Sequence, residues 1–116
     1  MILGIGVDIT QISRFKKWEN NDRIIERFFH KKESKKDAEF LASRFAAKEA
    51  LSKALGTGLR NLSLNEICIS LDEKGKPFFE FFGKTKTVIS AFNAKNVHLS
   101  LSHDGDSAIA FVILEG

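Results

Sequence analysis

Tyrosine is absent, and cysteine, proline, tryptophan and methionine occur once each among 116 residues. Eleven phenylalanines replace the missing rings, so the core gains bulk with few polar handles. The lone cysteine, Cys68, excludes an internal disulfide and makes a reducing compartment, the cytoplasm, the expected location. It stands in the alternating run EICISLD, where a buried, inert thiol is expected rather than a nucleophile. No linker, low-complexity tract or internal repeat is visible, and a single domain over 1–116 is expected. Long apolar runs are missing too: MILGIGVDI is short and already contains an aspartate, so neither a signal peptide nor a membrane span is expected.

Several motifs are also missing. There is no G-x-S-x-G, which excludes the usual serine hydrolase elbow. No two histidines stand at metal spacing, which argues against zinc. The GTG at 56–58 lacks the rest of a P-loop or dinucleotide fingerprint.

The chain does have an ordinary globular balance, 43% hydrophobic and 28% charged, with a net charge of +3. That charge is unevenly placed. From Arg14 to Lys53 there are 12 Lys/Arg against seven Asp/Glu, whereas the remainder is slightly acidic. The basic half fits an acidic protein, a polyphosphate or nucleic acid, although a solvated helix surface would read the same way.

Periodicity predicts a buried strand over 2–8 ending at Asp8, then a helix capped by Thr10 through Trp18, with Ile12 and Phe15 inward. A second short helix should start at Asp22. A long helix, announced by Ser34 and Asp37, should run to Leu55 and stop at Gly56. The second half changes period: strands over 66–72 and 78–82 form a hairpin, 84–92 is helical, and strands 97–104 and 107–114 turn at Gly105-Asp106. The class is α+β, with a mainly antiparallel sheet, one long helix and several short ones.

Within the long helix, at about 100° per residue, Phe40, Ala47, Leu51 and Ala54 share a core stripe. Glu49 and Lys53 take roughly the opposite face, beside Ala42 and Phe45. As a surface pair in the favourable order they are worth about 0.2–0.5 kcal/mol, and on local grounds that plain reading is favoured. Asp8 could likewise be only a helix cap. Yet Gly4 and Gly6 permit close backbone approach, and two carboxylates, Asp8 and Glu49, would suit Mg²⁺ with phosphate oxygens if the fold brings them together. Ser102 and His103 in SLSHD lie at a strand end, where an imidazole is either structural or a phosphate donor.

Taken in order, GIGVDIT, RFAAKEALSKALGTG and LSLSHD resemble the holo-[acyl-carrier-protein] synthases, a branch of the 4′-phosphopantetheinyl transferases. The blocks span Gly4 to Asp104, although Asp104 follows the histidine where a small hydroxyl residue is expected. The resemblance implies Mg²⁺-dependent transfer of phosphopantetheine from coenzyme A to a serine of apo acyl carrier protein, in fatty acid biosynthesis. It implies that Asp8 and Glu49 hold the metal, that Glu49 helps deprotonate the serine, and that Lys53 and His103 meet the coenzyme A phosphates. It also implies that Arg14 docks the acidic carrier, with Lys17 and Arg23 as further candidates, and that the protein is a homotrimer with sites between subunits. A small nucleic-acid-binding domain and a non-catalytic nucleotide-binding subunit remain as rivals, the first without the interleaved surface aromatics it would need.

Overall fold

The first strand, β1 (Ile2–Gln11), runs three residues beyond Asp8 in the computed structural model, which describes residues 1–116. Its alternation explains the extension. Gly4, Gly6, Asp8 and Thr10 face inward, while Ile5, Val7 and Ile9 face outward and are exposed. The ladder with the last strand continues to Gln11, so Thr10 sits opposite Ala108 and does not cap a helix. The expected helix from Thr10 is instead a 3₁₀ helix over Ile12–Trp18, with Phe15 buried beneath it.

Helix α1 (Asp22–Phe28) is capped by Asn21, whose Oδ1 accepts from Ile24 N–H at 3.2 Å; Asp22 is its first residue rather than its cap. Helix α2 (Ala38–Leu55) begins after Asp37, whose carboxylate accepts from Phe40 N–H, and not at Ser34. It ends at Gly56 in the left-handed region, φ 78°.

After a short 3₁₀ turn (Leu64–Glu66) come β2 (Ile67–Leu71), β3 (Pro77–Phe81), α3 (Gly83–Ala91), β4 (Asn96–Asp104) and β5 (Ser107–Glu115). Glu66 therefore leaves the expected strand. Its carboxylate accepts from Thr85 N–H at 3.0 Å and Thr85 Oγ at 2.9 Å and so holds the start of α3. The strands form two antiparallel sheets, one in the order β1-β5-β4 and one of β2 and β3, in agreement with the α+β expectation.

Helix α2 lies on the inner face of the larger sheet, and its fit is unusually close. A side-chain carbon on Gly4 or Gly6 would collide with the carbonyls of Ala54 and Ala50, so only glycine lets this helix backbone rest on β1. Ala110, Val112 and Leu114 of β5 complete that layer. On its other side Phe15, Phe29, Leu41 and Ala42 build a second core, extended by Trp18 and Phe45. The helix is thus buried on several sides rather than along one stripe. Ala42 is fully buried, while Phe40 is only half-buried.

One consequence is a wholly buried ion pair. Lys48 Nζ donates to Glu33 Oε1 at 2.6 Å, Phe28 O at 2.9 Å and Leu64 O at 3.1 Å. The same carboxylate accepts from His30 N–H and Ile69 N–H. Burial lowers the Lys48 pKa and the Glu33 charge offsets only part of that, and the pair stands because every ammonium donor is matched.

Candidate active site

Asp8 projects inward from the middle of β1, next along that face from Gly6. With Gly4 and Gly6 beneath α2, the last turns of the helix lie over the strand, where Lys53 reaches Asp8 and Glu49 lies near enough to feel its charge. Lys53 Nζ donates to Asp8 Oδ1 at 3.2 Å and to Val7 O at 3.0 Å. Lys53 is thus paired with the strand and not with Glu49, as a helical ion pair would have had it. The Asp8 side chain is 15% exposed and that of Lys53 53%.

Glu49, half-buried, is pressed from two sides. Loss of water raises its pKa first, the Asp8 charge raises it further, and Lys53 lowers it. The Glu49 carboxyl thus feels both the Asp8 carboxylate and the Lys53 ammonium, while the ammonium itself is bonded to Asp8. An ammonium carries three donors, and the two bonds to β1 leave the third for an incoming oxygen.

His103 stands elsewhere. It is exposed near the end of β4, and its Nε2 lies 3.2 Å from Glu39 Oε1 in the first turn of α2. Glu39 precedes Glu49 by ten residues, which along a helix is about 15 Å. One chain therefore gathers Asp8, Glu49 and Lys53 but leaves His103 at the far end of the same helix.

At that far end lies a cleft of about 450 Å³ lined by Lys32, Lys35, Glu39, Ser43, Arg44 and Ser70. The Arg44 guanidinium sits 4.1 Å from the Phe40 ring centroid and donates from Nη1 to Ser43 Oγ at 3.0 Å. Its Nε is shut away from solvent with no partner. Periodicity did not single out Arg44; the only available signal was a basic residue one turn before another, Lys48, in RFAAKEA. Arg14, by contrast, is where it was expected, exposed on the 3₁₀ helix beside Lys16 and Lys17.

A family model described as the 4′-phosphopantetheinyl transferase superfamily matches residues 4–112. The holo-[acyl-carrier-protein] synthase of Treponema denticola is 47% identical, covering 100% of both chains. Among solved structures, the holo-[acyl-carrier-protein] synthase of Neisseria meningitidis superposes with a TM-score of 0.91 at 34% identity, over 100% of each chain. That of Helicobacter pylori, solved in complex with coenzyme A, superposes with a TM-score of 0.84 at 35% identity, over 96% of this chain and 99% of that one. A strand-borne aspartate meeting the Glu49–Lys53 turn of a helix, in a fold shared along its whole length, leads to one assignment: the chain belongs to the 4′-phosphopantetheinyl transferase superfamily, in its holo-[acyl-carrier-protein] synthase branch.

Proposed function

We propose that this protein transfers 4′-phosphopantetheine from coenzyme A to a serine of apo acyl carrier protein, with Mg²⁺, in the cytoplasm and in the service of fatty acid biosynthesis. The observation that carries the proposal is the convergence of Asp8, Glu49 and Lys53 from two elements. In the transfer a bond forms between the serine oxygen and the β-phosphorus of coenzyme A. The bond from that phosphorus to the bridging oxygen breaks, and adenosine 3′,5′-bisphosphate leaves with the electron pair. Such a reaction asks for positioning and charge neutralisation more than covalent help.

Lys53, remaining an ammonium, donates a hydrogen bond from its free N–H to a phosphate oxygen while Val7 O and Asp8 Oδ1 hold the other two. Glu49, half-buried beside Asp8, would help deprotonate the serine. The mutual strain of the Asp8 and Glu49 charges fits a hard divalent cation, and these two residues would hold Mg²⁺. When bound, that ion supplies further neutralisation of the diphosphate. His103 and the cleft beside it, with Lys32, Lys35 and Arg44 in its lining, suit the phosphate on the adenosine side.

A homotrimer with sites between subunits would bring the His103 end of one copy to the Asp8 end of another. In support, Ile5, Val7, Ile9, Ile109 and Phe111 form an exposed apolar face on β1 and β5. Arg14, exposed over the buried Phe15, is the docking residue for the acidic carrier, with Lys17 alongside. The test is direct: coenzyme A, Mg²⁺ and an apo carrier protein should yield a carrier heavier by one phosphopantetheine group on its serine. No mass gain with a folded carrier would remove the proposal.

A further inference from the structure

The 3₁₀ helix that presents Arg14 has no cap of its own, for Gln11 makes no side-chain hydrogen bond at its start. Its first donors are satisfied from the other end of the chain. Ile12 N–H donates to Asp106 O at 2.8 Å, Ser13 N–H to Asp106 Oδ1 at 2.9 Å, and Ser13 Oγ to Asp106 Oδ2 at 2.7 Å. Both carboxylate oxygens and the backbone carbonyl of one residue are thus engaged by two consecutive residues of the helix. Seven residues of 3₁₀ geometry are weak alone, and a carboxylate at the helix start both caps amides and complements the dipole. Asp106 is itself firmly mounted. It follows Gly105, φ 56°, in the two-residue turn of the β4–β5 hairpin, closed by the Asp104–Ser107 pair.

We propose that Asp106 is a positioning residue for carrier-protein recognition: through Ser13 it fixes the helix that presents Arg14. The proposal rests on the docking role given above to Arg14. Arg14 follows Ser13 directly, and its Nη1 is 3.4 Å from Thr10 Oγ1, so a shift of the helix start moves the guanidinium. Phe15 anchors the other side of the same turn. The hairpin that carries Asp106 also carries His103 three residues earlier, so the docking helix and the nucleotide contact share one mount.

The test compares steady-state kinetics of the full-length enzyme and its Asp106→Ala, Asp106→Asn, Ser13→Ala and Arg14→Ala variants. Asp106→Ala should raise KM for the carrier about fivefold, the worth of one net hydrogen bond, with KM for coenzyme A and kcat unchanged. Asp106→Asn, which keeps the Oδ1 acceptor, should restore most of the loss. Added to Arg14→Ala, the Asp106 change should have little further effect, because it acts through Arg14. An unchanged carrier KM in Asp106→Ala, beside a raised one in Arg14→Ala, overturns the positioning role and leaves docking standing. No effect of Arg14→Ala removes the docking reading and this proposal with it. A rise in the coenzyme A KM instead assigns Asp106 to the His103 hairpin and overturns the proposal. Should Asp106→Ala not fold, Ser13→Ala decides alone: a raised carrier KM supports the role and an unchanged one overturns it.

Discussion

Lys53 touches β1 with two of its ammonium protons, and what the third does decides whether it is a surface residue or part of a site. As a half-exposed ion pair with Asp8 it should be worth under about 1 kcal/mol. As a phosphate donor its loss should cost roughly 10²-fold or more in transfer rate. We expect Lys53→Ala to melt close to the parent while single-turnover transfer collapses; a lowered melting temperature with intact chemistry would return it to the surface pair. Asp8→Ala and Glu49→Ala should likewise keep the fold and lose transfer, since neither carboxylate packs in the core. Titration of Mg²⁺ into each variant, followed by rate, checks the assignment. Near-normal turnover at limiting Mg²⁺ would exclude these carboxylates as its ligands.

The meeting of β1 and α2 is a property of two elements, and glycine sets it. Gly6→Ala would place a methyl group against the carbonyl of Ala50, backbone against backbone, where nothing flexible can yield. Overpacking of this kind costs about 1–3 kcal/mol. It should also lift the helix from the strand and part Lys53 from Asp8, so melting temperature and kcat should fall together. A variant that is destabilised but fully active would show that the site does not depend on this contact. Helix α3 provides a pH counterpart. The hydrogen bonds from Thr85 hold the Glu66 carboxyl below the usual carboxylate range, ahead of a smaller opposing effect of burial. Because the folded pKa is the lower one, the stabilisation is complete above the ordinary glutamate range and is lost as pH falls through it toward the folded value. Chemical denaturation across the acid range should therefore show a slope that Glu66→Gln flattens.

The molecule as a whole places Lys53 and His103 at two separated ends of α2 and leaves an uncovered apolar face on β1 and β5. If copies share sites across that face, Phe111→Asp should shift sedimentation toward the monomer and abolish transfer together. A sharper check mixes two inactive variants, Lys53→Ala and His103→Ala. Co-assembled copies contain some sites with both native residues, so activity should reappear on mixing and refolding. Silence in the mixture, with assembly verified, would place each site within one chain.

Local pattern was enough for most of the elements. Alternation in EICISLD, the turn at Gly105-Asp106 and the glycine after Leu55 act over a few residues, so the hairpins and the end of α2 were legible. Starts were misread where distant partners decide them. Thr10 looked like a cap but is held by Ala108 in the ladder, and the 3₁₀ helix is capped by Asp106 from across the chain. The long helix was read as two-faced because periodicity sees one neighbour, whereas the tertiary structure surrounds it with a sheet, an aromatic cluster and the segment holding Glu33. That enclosure alone makes Lys48 a buried cation, which its place beside Glu49 in the sequence does not reveal. The residue types of the candidate site, Asp8, Glu49 and Lys53, were named by the sequence and by the order of its motifs. Their meeting, with Lys53 drawn to Asp8 instead of Glu49, was decided only by the helix resting on two glycines, because side chains four residues apart on a helix respond to whatever surface the fold lays against them.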